Sequence, residues 1–187
     1  VFTSVATESI HLALLCFLEL AEPGLHIVIL QVEHKCVLEV CAKAKELGHE
    51  VTVLPVNRYG QVEIDTLKNS LQPNTALVSL MHANNEIGSI NPILEIGDLL
   101  RQRQITFHVD AAQTVGRLPI DVKAMNIDLL SISAHKLYGP KGTGALYVRQ
   151  TSPRVRLAPY LRGGGQEKGL RGGTHNVPGI VGLGKAC

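Results

Sequence analysis

Asp128-Leu-Leu-Ser-Ile-Ser-Ala-His-Lys-Leu-Tyr-Gly-Pro-Lys-Gly142 joins an apolar run to a glycine-rich turn through a histidine–lysine pair. Asp128 to Ser133 reads as a strand, and the Gly-Pro-Lys-Gly end reads as a turn. Lys136 therefore falls at the carboxyl end of a strand, where open α/β sheets gather their ligands. A lysine that forms a Schiff base needs a partly dry pocket to lower its pKa, and fixed neighbours to aim it. A solvated surface amine is the ordinary alternative for any lysine.

Outward from this stretch, strand-like and helix-like segments alternate over short connectors. Upstream lie a strand at Ile105 to Val109, a helix at Pro92 to Gln104 with Pro92 suited to the first turn, and a strand at Thr75 to Met81. Before them come a short helix (Ile64 to Leu71), a strand (Val51 to Val56) and a helix from Lys35 to Leu47 stopped by Gly48. The strand His26 to Leu30 and a helix from Thr7 to Leu20, capped by Ser4 or Thr7, open the chain. Downstream, Gly144 to Val148 is a further strand. The strand runs do not alternate cleanly in polarity, so both faces should be covered. The pattern predicts an α/β domain: a mainly parallel mixed sheet with helices on both faces. Gly163 to Gly173 is too long for a tight turn and is read as a functional loop.

The 187 residues suffice for one sizeable domain, and 45% hydrophobic content with a net charge of +2 fits a globular chain. Aromatics make up 4%, with no Trp, so stacking platforms for single-stranded nucleic acid are not expected. The string RGGGQEKGLRGG lacks the repeated RGG units and aromatics of an RNA-binding tract. Cys16, Cys36, Cys41 and Cys187 form no CxxC pair and no zinc-finger spacing, which predicts a reduced intracellular protein without a metal. Cys36 and Cys41 fall on a helix and read as packing residues. The apolar run from Ile10 to Leu20 is about half of a bilayer span and is broken by His11 and Glu19, so a buried helix is expected rather than a membrane segment. No signal peptide is visible. Val1 reads as lying in a strand end and Cys187 in a helix, and both ends predict a piece of a longer polypeptide.

Four polar clusters fall at predicted strand ends: Gln31 to His34, His82 to Gly88, Asp110 to Gln113, and Ser133 to Lys136. Pyridoxal phosphate meets the demands of such a set. A lysine can hold it covalently. An aspartate can keep its ring nitrogen protonated, so that the ring draws electrons from a substrate α-carbon. An opposite charge moves a pKa by about 1–3 units, enough to hold a pyridinium charged. A Gln or Asn can donate to the phenolate oxygen, an imidazole can stack on the ring, and hydroxyls with helix-start amides can take the phosphate. Each cluster alone has a plainer reading: Asp110 and Gln113 also fit a strand-to-turn cap, and His34 or His135 a satisfied surface or core histidine.

The motifs FTSVATES (2–9), VEHKCVLE (32–39), MHANNEIG (81–88), HVDAAQTVGRLPID (108–121), SISAHKLYGPKGTGALYVR (131–149) and GGGQEKGLRGGT (163–174) resemble the cysteine desulfurases. These are class V aminotransferases with the type I pyridoxal-phosphate fold. The resemblance covers the whole chain and implies an incomplete cofactor-binding large domain over residues 1–187. It implies that Lys136 holds the cofactor, Asp110 faces the ring nitrogen, Gln113 and Asn85 serve the phenolate oxygen, and His34 stacks on the ring. Ala6, Thr7, Ser133 and His135 would hold phosphate. Thr174 would reach the phosphate of a neighbouring subunit, which implies a homodimer with shared sites. His82 is a candidate proton relay.

The implied reaction takes L-cysteine to L-alanine and passes sulfur, as a persulfide, to an iron–sulfur scaffold or other acceptor. A selenocysteine lyase, another β-eliminating enzyme of the same fold, and a non-catalytic dimerisation fragment are the alternatives. In the family the sulfur-attacking cysteine and the substrate-binding arginine follow the region seen here. The implied location is cytoplasmic, with a mitochondrial or plastid matrix as the alternative. Val5 stands where the family commonly carries glycine, and a β-branched residue tolerates positive φ poorly, so a distorted phosphate turn and weaker cofactor retention are expected.

Overall fold

The computed structural model describes residues 1–187. Seven strands form one sheet in the order β1-β7-β6-β5-β4-β2-β3: β1 (Phe2–Thr3), β2 (His26–Leu30), β3 (Glu50–Leu54), β4 (Thr75–Met81), β5 (Thr106–Asp110), β6 (Leu129–Ser133) and β7 (Gly144–Val148). The run β3-β2-β4-β5-β6 is parallel, while β7 is antiparallel to both β6 and β1. The five helices are α1 (Ala6–Leu18), α2 (Lys35–Glu46), α3 (Ile64–Ser70), α4 (Ile93–Gln102) and α5 (Val177–Ala186). The expected α/β architecture is therefore present, with element ends within two residues of their predicted positions. No helix is long and apolar enough to cross a membrane.

The uninterrupted apolar strands are explained by cover on both faces. In β2 every residue is buried; Ile27 and Ile29 pack with α1 and α2, and Val28 and Leu30 join the opposite cluster with Leu67 of α3 and Ile96 and Leu100 of α4. Helix α1 is apolar nearly all round because it is covered twice. The sheet lies on one side, and Val155, Leu157 and Ala158 return over it, with the Ala158 N–H donating to the Cys16 carbonyl at 2.7 Å.

The polar residues inside the sheet are paired across strands. The Ser79 hydroxyl meets His108 Nδ1 at 2.7 Å, and His108 Nε2 meets the Ser131 hydroxyl at 2.8 Å, a ladder through β4, β5 and β6. Asp128 anchors the start of β6. It accepts from the Phe107 N–H at 2.9 Å and pairs with Arg101 at 3.1 Å and Arg149 at 2.9 Å.

Three local expectations are corrected. Pro92 caps α4 instead of sitting in its first turn. Neither Ser4 nor Thr7 caps α1 through its side chain. The cap residue is Val5, Thr7 already lies inside the helix, and Glu8 reaches back to accept the Ser4 N–H at 2.7 Å. Val5 itself has φ −162° and ψ 171°, extended backbone open to any residue, so the distorted turn is not found. The close approach is relieved from the other side: a Cβ on Gly144 of β7 would lie 2.8 Å from the Val5 carbonyl carbon and 2.7 Å from the Ile132 oxygen.

Candidate active site

Four elements end at one rim. There the start of α1, the start of α2, the end of β5 and the turn after β6 enclose a cavity of about 200 Å³. Its lining includes Val5, Ala6 and Thr7, His34 and Cys36, Asp110 and Ala112, and Ser133, His135 and Lys136. Seven of the predicted residues thus share one small space, drawn from four separate stretches of sequence.

Lys136 sits in a 3₁₀ turn, Ala134–Leu137, that follows β6 directly. Tyr138 closes the turn in the left-handed region at φ 64°. The Lys136 carbonyl accepts from Arg117 Nη2 at 2.7 Å, which fixes the backbone and leaves the amine to the cavity. The Ser133 hydroxyl and His135 Nδ1 lie 3.0 Å apart on the same turn.

Asp110 is the last residue of β5 and is 7% exposed. Burial pushes its carboxyl above the usual range, opposed by the Ala112 N–H donating to Oδ1 at 2.9 Å and by the charges of Lys136 and His34. A buried carboxyl so placed has one obvious use, to face a cation that enters the cavity.

His34 caps α2: its Nδ1 accepts from the Cys36 N–H at 3.2 Å and lies 2.9 Å from the Cys36 sulfur. With Nδ1 engaged as acceptor, Nε2 is left as the ring's donor.

A second hollow of about 410 Å³ shares His34 as a wall and is lined by Asn84, Asn85, Glu86 and Gln31 among others. The two asparagines divide their work. Asn84 is committed to structure, donating to the Val32 carbonyl at 3.1 Å and accepting from the N–H groups of Glu86 (2.9 Å) and Ile87 (3.0 Å). Asn85 has no such tie and is exposed in the hollow.

The other predicted residues lie outside the Lys136 cavity. Gln113 turns its Oε1 to Arg117 Nη1 at 3.3 Å. Thr174 lines a separate hollow with Thr3, Ser4 and Arg171. His82 is buried behind the rim, where burial lowers its pKa and its Nδ1 lacks a partner; its N–H donates to the Asp110 carbonyl at 2.9 Å, tying β4 to β5. The largest cavity, about 530 Å³, borders Thr106 and Asp128, at the start of β5 and just before β6, the opposite end of the sheet, and contains none of the predicted residues.

Sequence reading missed Glu33. It is 6% exposed, accepts the Met81 N–H on Oε1 at 2.8 Å, and leaves Oε2 buried without a partner. Burial drives its pKa well above the usual carboxylate value, and the nearby Asp110 adds to the shift. A charged residue between two predicted elements carries no sign of burial in a single sequence. The cysteine reading fits: burial raises the thiols of Cys16, Cys36 and Cys41 to about 12, 11 and 12, so these three stay protonated.

A mainly parallel α/β sheet with a lysine and a buried aspartate lining one cavity at its carboxyl rim, beneath a helix start, has the architecture of the type I pyridoxal-phosphate fold. The chain belongs to the class-V aminotransferase family, whose model matches residues 1–187. It is 55% identical over 190 residues to the mitosomal cysteine desulfurase of Encephalitozoon cuniculi, covering 100% of this chain and 44% of that protein. It is 52% identical to the cysteine desulfurase IscS of Methanosarcina thermophila, covering 99% of this chain and 45% of that one. Among solved structures, SspA in complex with cysteine superposes with a TM-score of 0.93 at 48% identity, covering all of this chain and 54% of that one. The chain thus spans about half the length, or less, of the relatives it matches.

Proposed function

We propose that the whole protein is a cysteine desulfurase that binds pyridoxal phosphate in the Lys136 cavity. The observation that carries this reading is the meeting of Lys136 and Asp110 in one cavity under the first turn of α1. The donor set suits the group at both ends. A buried carboxyl waits for a cationic ring nitrogen, and hydroxyls, an imidazole and free helix-start amides wait for a phosphate.

Bound there, the cofactor supplies an electron sink for charge developing at the substrate's α-carbon. Lys136 would hold the cofactor through Nζ, and the same amine, when free, would take the α-proton of the substrate. Asp110 would face the ring nitrogen and favour its protonated form. His34, held by its Cys36 contacts, would lie against the ring. Ala6, Thr7, Ser133 and His135 would hold the phosphate. Asn85, in the neighbouring hollow, and Gln113, whose amide is held by Arg117, would serve the phenolate oxygen. His82 contributes by holding β4 on β5, and as a candidate relay it would act from behind the rim.

Substrate L-cysteine and an enzyme thiol give L-alanine and an enzyme persulfide, with the sulfur atom passing from one to the other. The thiol is not Cys16, Cys36 or Cys41, whose burial keeps them protonated. The protein works as a homodimer in which Thr174 serves the partner's site, and it hands sulfur to an iron–sulfur scaffold or a similar acceptor. The names of the relatives include mitochondrial and mitosomal proteins, which supports an organelle matrix as the alternative to a cytoplasmic setting.

The test is to mix the purified intact protein with pyridoxal phosphate and L-cysteine, following colour, borohydride bleaching and alanine release. A yellow, borohydride-sensitive protein that releases alanine is expected. A colourless protein overturns the cofactor assignment, and a yellow one that releases no alanine overturns the substrate.

A further inference from the structure

Glu8 and Arg171 stand 163 residues apart in the chain and meet beside the first turn of α1. Arg171 Nε donates to Glu8 Oε1 at 2.8 Å and Nη2 reaches Oε2 at 3.5 Å. Glu8 Oε2 also accepts from the Ser4 N–H and hydroxyl, and the residue is only 8% exposed. Val5 and Thr7, which line the Lys136 cavity, also line the hollow that holds this ion pair, so the two spaces share a wall.

A carboxylate at this place creates an electrostatic conflict. The start of α1 offers unpaired N–H groups and the positive end of the helix to an anion in the cavity. Glu8 lies in the same turn. Left alone, its charge would occupy that field and repel a second anion through low-dielectric surroundings. The guanidinium removes the conflict by fork-like pairing with both carboxylate oxygens. Glu167, the other acid that faces Arg171, is engaged by His175 at 2.8 Å.

The glycine-rich loop explains how Arg171 arrives. The Gly172 N–H donates to the Leu161 carbonyl at 2.7 Å, and a Cβ on Gly172 would lie 2.8 Å from the Gly163 Cα. The loop closes on itself backbone to backbone, which only glycine permits, and the residue presented at the closure is Arg171.

We propose that Arg171 is a positioning residue for the phosphate end of the site: acting through Glu8, it cancels a first-turn carboxylate and keeps the helix end available to an anion. This rests on the reading of the Lys136 cavity as the pyridoxal-phosphate site.

The test compares dissociation constants for pyridoxal 5′-phosphate and for pyridoxal, which lacks the phosphate, in the intact protein and its Arg171→Gln, Glu8→Gln and doubly substituted variants. Arg171→Gln should weaken pyridoxal phosphate by about ten- to a hundredfold while leaving pyridoxal within about twofold. The double variant has lost the same ion pair but also the offending charge, and should recover to within a few-fold of wild type. Equal losses for both compounds, or a double variant no better than Arg171→Gln, would show a merely structural bond and overturn the inference. A wild type that binds neither compound overturns the cofactor reading and takes this inference with it, so the two failures are told apart.

Discussion

At the residue scale the chemistry turns on a lysine and a carboxyl made useful by their surroundings. Asp110 is held 7% exposed, with a single backbone N–H for company, so a cation arriving in the cavity gains an interaction that water would otherwise weaken. Lys136→Ala in the intact protein is expected to abolish borohydride-sensitive cofactor colour while leaving the far-ultraviolet circular dichroism unchanged; colour that survives the substitution refutes the assignment. Val5 offers the opposite lesson. Its extended backbone at φ −162° carries no strain, so Val5→Gly should leave cofactor affinity unimproved and cost about 0.5–1 kcal/mol of stability through added freedom in the unfolded chain. Tighter cofactor binding by the glycine variant would restore the view that valine distorts this turn.

Among the elements, packing overrides propensity most visibly in α4. Gly97 lies in the middle of that helix, where alanine is intrinsically better by about 1 kcal/mol. A Cβ there would meet the Met125 carbonyl oxygen at 2.0 Å, a backbone atom that cannot swing aside. Gly97→Ala should therefore destabilise the protein, by about 1–3 kcal/mol for overpacking, and lower its urea midpoint. A raised midpoint would mean that the loop before β6 yields freely. The same competition decides where the rim lies: α1 and α2 begin where they do because Val5 must fit against Gly144 and because His34 caps its own helix.

Taken as a whole, the molecule buries two titratable groups with opposite effects, His108 inside the sheet and Glu33 in the turn after β2. Burial moves His108 from 6.5 to about 3, so below 6.5 the unfolded chain binds a proton that the folded chain refuses, and stability drains away as pH falls through that window. Glu33 is raised well above 4.5. The folded chain keeps its proton while the unfolded chain releases it, and stability falls as pH rises past 4.5. Urea midpoints followed across this range should show a flatter acid limb for His108→Asn, alongside a lower plateau from the broken serine ladder. Glu33→Gln should gain stability relative to wild type toward neutral pH. Unchanged limbs in either variant would contradict the buried, neutral state assigned to that group.

The alternation of apolar runs with glycine and proline punctuation made the order of elements legible, because periodicity and turn chemistry are local properties of the chain. The family resemblance carried by the motifs around Lys136, Asp110 and His34 pointed to residues that line one cavity, because each motif is a short local string. Three things needed the folded molecule. Gln113 had to be found on Arg117, Glu33 had to be found buried, and Glu8 had to be joined to Arg171. Each depends on which distant backbone or side chain lies within about 3 Å, the range over which a hydrogen bond acts. Sequence alone determined which groups are available for chemistry. Tertiary structure decided which are buried, which are paired and which remain free, because burial and pairing are set by neighbours far away along the chain.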